Sequence, residues 1–267
     1  MSLAFSTLGC PGASLDHVLE LAKGNDISGL ELRAADDEFT NTGLTAAQRR
    51  ELRTRIEDAG LEILAVSSYV KLCAVEEQPL EAHLELAADL GARGVRVFPG
   101  DPDPGADPRT DTDAAAGTTD GPSAGEIRAL DRVTSAPRDV HILLETHDSH
   151  SAGRKMAALC TLLDTDVPGH NTKVVWDSAH TWSHGETPAE AYELLKPWIE
   201  FVQIKDSDSA QSYRPVAIGT GDFPIQDLLQ TLKGTDYPLS LEWELKWHPH
   251  LPPLEETLPA ARAWTTA

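Results

Sequence analysis

Apolar runs of strand length alternate with segments of helical period along almost the whole chain, and this alternation leaves few folds open to it. A strand followed by a helix, repeated, signals parallel βαβ units, because two parallel neighbours need a long crossover that an α-helix supplies. Strands are expected at Leu3–Thr7, Ile27–Arg33, Leu61–Ser67, Gly94–Phe98, Val140–Glu145, Thr172–Asp177, Ile199–Lys205 and Leu239–Glu242. Helices are expected from about Ser14, over Leu44–Ala59, Pro79–Leu90, Ser123–Thr134, Gly153–Leu163, Pro188–Leu195 and Pro224–Leu232, and finally over Leu254–Trp264. Eight strands and eight helices predict an α/β fold of the (β/α)8 TIM-barrel type. An open doubly wound sheet would call for a glycine-rich phosphate turn after the first strand, and Gly9-Cys10-Pro11-Gly12 does not supply one.

A chain of 267 residues with 40% apolar content can bury the core of one such barrel, so residues 1–267 read as a single domain. The rhythm stops only between Asp101 and Pro122, where Asp, Pro, Gly, Thr and Ala leave no apolar face; an acidic mobile loop is expected there. The formal net charge of -21 repels polyanions and argues against nucleic acid as a partner. No apolar run is long enough to span a membrane, and no basic segment followed by an apolar stretch opens the sequence. Three cysteines, an odd number far apart, suggest reduced thiols in a cytoplasmic protein. Whether the chain forms a homo-oligomer is left open by its sequence.

In a barrel of this type the chemistry stands at the carboxyl ends of the strands. The fifth expected strand closes with Glu145-Thr146-His147, the sixth with Trp176-Asp177, and the seventh carries Gln203 and Lys205 on one face. The eighth carries Glu242 and Glu244 on one face. Glu145, Asp177, Gln203 and Glu242 would therefore converge at one mouth. Three carboxylates crowded together repel, and a divalent metal removes the conflict. The all-oxygen donor set suits Mn2+ or Mg2+ better than Zn2+. The plainer reading of Asp177 is a helix N-cap. In the second strand, Glu31 and Arg33 share the inward face, and a simple mutual ion pair accounts for them at least as well as a ligand role.

The motifs Glu145-Thr-His, Trp-Asp177-Ser-Ala-His180, Val-Gln203-Ile-Lys205-Asp206, Gly219-Thr-Gly221-Asp and Ser-Leu-Glu242 resemble those of the sugar isomerase and epimerase barrels related to xylose isomerase. The resemblance runs from Phe5 to about Leu258, leaving out the acidic insertion. It implies that Glu145 and Glu242 bind the metal and also act as the acid/base pair, and that Asp177 is purely a ligand. It further implies that His180 contacts substrate oxygens and that Arg214 fixes the substrate. Many relatives, including ketose 3-epimerases, carry His where Gln203 stands; hydroxypyruvate isomerase resembles this chain in using Gln, which points toward small hydroxy-carbonyl substrates.

The expected function is thus a divalent-metal-dependent isomerase or epimerase acting on a sugar or small hydroxy-carbonyl compound. One Glu would take a proton from the carbon next to a carbonyl, and the other would return it through a metal-stabilised enediolate. Two further readings use the same residues: a metal-dependent lyase or dehydratase on a cyclic polyol-type substrate, and a non-catalytic sugar-binding or assembly subunit.

Overall fold

The computed structural model describes residues 2–100 and 121–266. The expected acidic loop lies outside them, save for Gly121 and Pro122. Eight parallel strands close into a barrel: β1 (Leu3–Ser6), β2 (Gly29–Arg33), β3 (Glu62–Lys71), β4 (Gly94–Phe98), β5 (His141–Glu145), β6 (Thr172–Asp177), β7 (Ile199–Ile204) and β8 (Leu239–Leu241). Each pairs with the next in sequence, and β8 returns to β1 through Leu3 opposite Leu239. Closure leaves no unpaired barrel edge.

The strands' alternation separates two cores. Ala4, Leu64, Ala65, Leu143, Val175 and Phe201 come from strands that are mostly not neighbours yet form one buried cluster, so they fill the barrel interior. Val174, Trp176, Val202 and Ile204 face the other way and join the larger core beneath the helices. Two residues beyond Leu143, Val175 and Phe201 on the same face stand Glu145, Asp177 and Gln203, one layer nearer the carboxyl ends.

The helices are α1 (Leu15–Gly24), α2 (Ala46–Asp58), α3 (Leu80–Leu90), α4 (Ala124–Ser135), α5 (Gly153–Asp166), α6 (Ser178–Ser183), α7 (Pro188–Leu195), α8 (Ile225–Thr231) and α9 (Leu254–Thr266). Three begin with reciprocal capping boxes, Thr45 with Gln48, Ser123 with Glu126 and Thr187 with Glu190, in which each side chain satisfies a backbone N–H of the other. α3 ends on Gly91, whose φ of +70° is a left-handed conformation that glycine adopts without a Cβ clash.

Three expectations need correction. Among the described residues there are nine α-helices, not eight, because α6 forms directly after β6, with Asp177 as its N-cap. β3 runs on to Lys71 rather than stopping at Ser67, with a register shift between those residues. The β-favouring Tyr69 and Val70 carry it past the rim. β8 ends one residue earlier than expected, but the Glu242 amide still donates to the Ile204 carbonyl at 3.1 Å. No helix among the described residues is long and apolar enough to cross a membrane.

Candidate metal centre

Strand parity brings Glu145, Asp177 and Glu242 together at the carboxyl end of the barrel. One carboxylate oxygen from each lies within 4.8 Å of the others. Glu145 and Asp177 are wholly buried and Glu242 nearly so. Asp177 divides its carboxylate between two roles. Oδ1 accepts from the backbone N–H groups of Ala179 and His180, both at 3.0 Å, and so starts α6. Oδ2 faces the barrel. The helix-cap reading and the site reading of this residue thus describe different oxygens.

Lys205 Nζ lies 2.7 Å from both Asp177 Oδ2 and Glu242 Oε2 and also pairs with Glu244. Burial alone would raise the Glu242 carboxyl, but the ammonium outweighs it and holds the group down at about 2. Glu145 has no such partner so close. Its burial and the Glu242 charge push its carboxyl well above the usual range, and the neighbouring Arg96, with Nε 3.1 Å from Oε2, only partly opposes this. Burial likewise raises Asp177 against the pull of Lys205. Two glutamates in one cluster are therefore driven in opposite directions.

Two buried oxygens here meet no donor, Oε1 of Glu145 and Oε1 of Gln203, while Glu145 Oε2 and Asp177 Oδ2 are met only by the ion pairs with Arg96 and Lys205. A buried acceptor that meets no donor is costly unless a cation reaches it, and no protein group reaches Glu145 Oε1 or Gln203 Oε1. The donors present fit a divalent ion: three carboxylates and an amide carbonyl, with the imidazoles of His147 and His180 grouped beside Glu145.

His180 accompanies this cluster. Its Nδ1 lies 2.8 Å from the Thr146 carbonyl, which can only accept, so the proton sits on Nδ1. Its Nε2 lone pair faces Lys205 Nζ at 3.3 Å. Burial first, then the Lys205 charge, depress the imidazole to about 3, and it is neutral at ordinary pH. His147 stands beside it, ring centroids 4.8 Å apart, with its own Nδ1 2.8 Å from Asp148. A cavity of about 490 Å³ opens above, lined by His180, Lys205, Ser207, Tyr213, Pro215 and Glu244 among others.

Arg214 is not brought in. Its side chain is exposed on a two-residue antiparallel ladder with Asp208, and the residues on either side of it line the cavity instead. Nor do Glu31 and Arg33 pair with each other. Arg33 binds Asp37, Glu38 and Tyr69, while Glu31 accepts from Gln203 and Ser240. Burial and the Glu242 charge raise the Glu31 carboxyl to about 7. Arg96 escaped the sequence reading although its alternation with Val95 and Val97 marks it as inward. Its guanidinium lies over the Phe98 ring at 4.1 Å, its Nε faces Glu145 Oε2, and its Nη1 lacks a hydrogen-bond acceptor. The Gly219-Thr-Gly221 motif serves the backbone rather than the chemistry. Both glycine amides donate to Asp206 Oδ2, and a Cβ on Gly221 would collide with Asp206 Oδ1.

A closed barrel with its polar residues gathered at one end invites comparison with known proteins. Residues 19–267 match the family model described as xylose isomerase-like TIM barrel. The chain belongs to the xylose isomerase-like TIM barrel family. It is 24% identical over 256 residues to a 3-dehydroshikimate dehydratase of Bacillus anthracis, covering 86% of this chain and 85% of that protein. The xylose isomerase-like barrel also superposes on a D-psicose 3-epimerase crystallised with D-fructose, with a TM-score of 0.72, 12% identity and coverage of 99% and 98%. The IolI protein with a bound zinc atom gives a TM-score of 0.70, 17% identity and coverage of 99% and 96%.

Proposed function

We propose that this xylose isomerase-like barrel is an enzyme that isomerises or epimerises a small hydroxy-carbonyl or sugar substrate with a divalent metal held by Glu145, Asp177, Gln203 and Glu242. The observation that carries this reading is the buried cluster of three carboxylates at the barrel mouth, with Glu145 Oε1 and Gln203 Oε1 beside it unmet by any donor. When bound, the ion supplies Lewis acidity toward a carbonyl and an adjacent hydroxyl.

The chain's own residues do the remaining work. Glu145 ends β5 and Glu242 directly follows β8, with β6 and β7 between them, so they approach a substrate from different sides. One takes the proton from the carbon next to the carbonyl and the other returns it, to the opposite face or to the neighbouring carbon. His180 offers its Nε2 lone pair to a substrate hydroxyl. Lys205, between the cavity and the carboxylates, offsets their charge and keeps Glu242 ionised.

A second reading, dehydration of a cyclic hydroxylated substrate, draws on two observations: the sequence relative is a dehydratase, and His147 backed by Asp148 adds a third base beside the cluster. Incubation with ketoses and 3-dehydroshikimate in heavy water, with metal added, separates the two. Deuterium incorporated at carbon without loss of water supports isomerase or epimerase action. Loss of water from 3-dehydroshikimate supports the second reading, and neither outcome on any substrate would leave a binding role.

A further inference from the structure

The geometry points to Glu31 as a positioning residue that sets which end of the Gln203 amide faces the three carboxylates; this rests on the metal-binding reading above. Gln203 Nε2 donates to Glu31 Oε2 at 2.9 Å, while Glu31 Oε1 accepts from the Ser240 hydroxyl at 2.5 Å. The bond crosses the barrel, since β8 and β1 separate the strands that carry the two residues. Both side chains are buried, Glu31 at 0% and Gln203 at 1% exposure. A carboxylate oxygen accepts, and an amide oxygen facing it would meet another acceptor, so the NH2 end turns to Glu31. The carbonyl Oε1 is thereby left pointing elsewhere, buried and without a hydrogen-bond partner. Asp177, directly opposite Gln203 on the neighbouring strand, turns its Oδ2 into the same cluster.

This arrangement also restricts what residue 203 can be. It must return an N–H to Glu31 and present a lone pair forward. An amide or an imidazole meets both demands, whereas a carboxylate at 203 would oppose Glu31 with like charge. Glu31 therefore favours a neutral fourth ligand beside three charged ones. Partners behind a ligand that fix its orientation typically change metal affinity by about 10–100-fold when removed.

The test measures Mn2+ affinity of the full-length protein by competition with a fluorescent chelator, after chelation and dialysis. Glu31→Leu removes the acceptor and should weaken Mn2+ by about 10–100-fold. Glu31→Gln keeps a carbonyl for Gln203 and a donor for the Ser240 hydroxyl, so it should bind nearly as the parent does. Gln203→Leu combined with Glu31→Leu should lose little more than Gln203→Leu alone, because the two act through one oxygen. Should Glu31→Leu fail to fold, Ser240→Ala, which frees the second Glu31 oxygen, should give a smaller loss in the same direction. Parent-like affinity in Glu31→Leu, or in Ser240→Ala where that variant has to stand in, would overturn the positioning role and leave the metal site standing. So would fully additive losses in the double variant. A parent protein that binds no Mn2+ would overturn the metal reading and this inference together.

Discussion

Replacing Asp177 with Asn separates the two roles of its carboxylate. The cap of α6 needs one oxygen accepting from Ala179 and His180, and Asn caps about as well as Asp, so the metal-free variant should melt close to the parent. The metal needs the other oxygen and its charge. A ligand present at a hundred times its Kd stabilises the native state by about 2.7 kcal/mol. With an unfolding entropy of about 2.1 cal/mol/K per residue, 267 residues give about 0.56 kcal/mol/K, so saturating metal should raise the parent Tm by about 5 °C. If Asn weakens the ion by about a hundredfold, the same concentration leaves about 0.4 kcal/mol, a shift under about 1 °C. Scanning calorimetry of chelator-treated protein titrated with Mn2+ or Mg2+ reads both values. An unchanged parent Tm in millimolar Mn2+, Mg2+ and Zn2+, or an equal shift in Asp177→Asn, would refute the site assignment.

Glu145→Gln and Glu242→Gln should each keep a folded barrel and lose about a hundredfold to ten-thousandfold in exchange of the substrate's carbon-bound proton, measured by NMR in heavy water under saturating metal; parent rates in both would rule out a proton shuttle. The thiols should be sluggish in the native protein, since Cys73 and Cys160 are buried and burial pushes the Cys10 and Cys73 thiols up to about 12. A thiol reagent at about pH 8, below these raised values, should therefore react slowly until denaturant is added, and three fast native equivalents would contradict this burial. Phe201→Ala, deep in the barrel interior, should cost about 3–5 kcal/mol in denaturant unfolding, and a loss below about 1 kcal/mol would mean the interior repacks.

Much of the fold was legible because its signals are local. Strand and helix alternate within windows of ten or so residues, short enough for the apolar period to show in the sequence. The period of two likewise assigned Glu145, Asp177, Gln203 and Glu242 to inward faces at strand ends, because side-chain direction in a strand follows from position alone. α6 was missed because its six residues are too few to show a helical period, and it is held by a cap rather than by an apolar stripe.

By itself, then, the sequence determined the barrel, the layer in which the carboxylates stand and the residue types available there. Only the closed tertiary structure decided who meets whom: Glu31 reaches Gln203 across 172 residues of chain and Ser240 across 209, rather than pairing with its near neighbour Arg33. It also decided that Lys205 inserts among Asp177, Glu242 and Glu244, that Arg96 backs Glu145, and that Arg214 stays in solvent while Tyr213 and Pro215 line the cavity. The physical reason is that strand parity fixes the face a side chain takes, whereas its partner depends on barrel stagger and on loops whose paths no local period records.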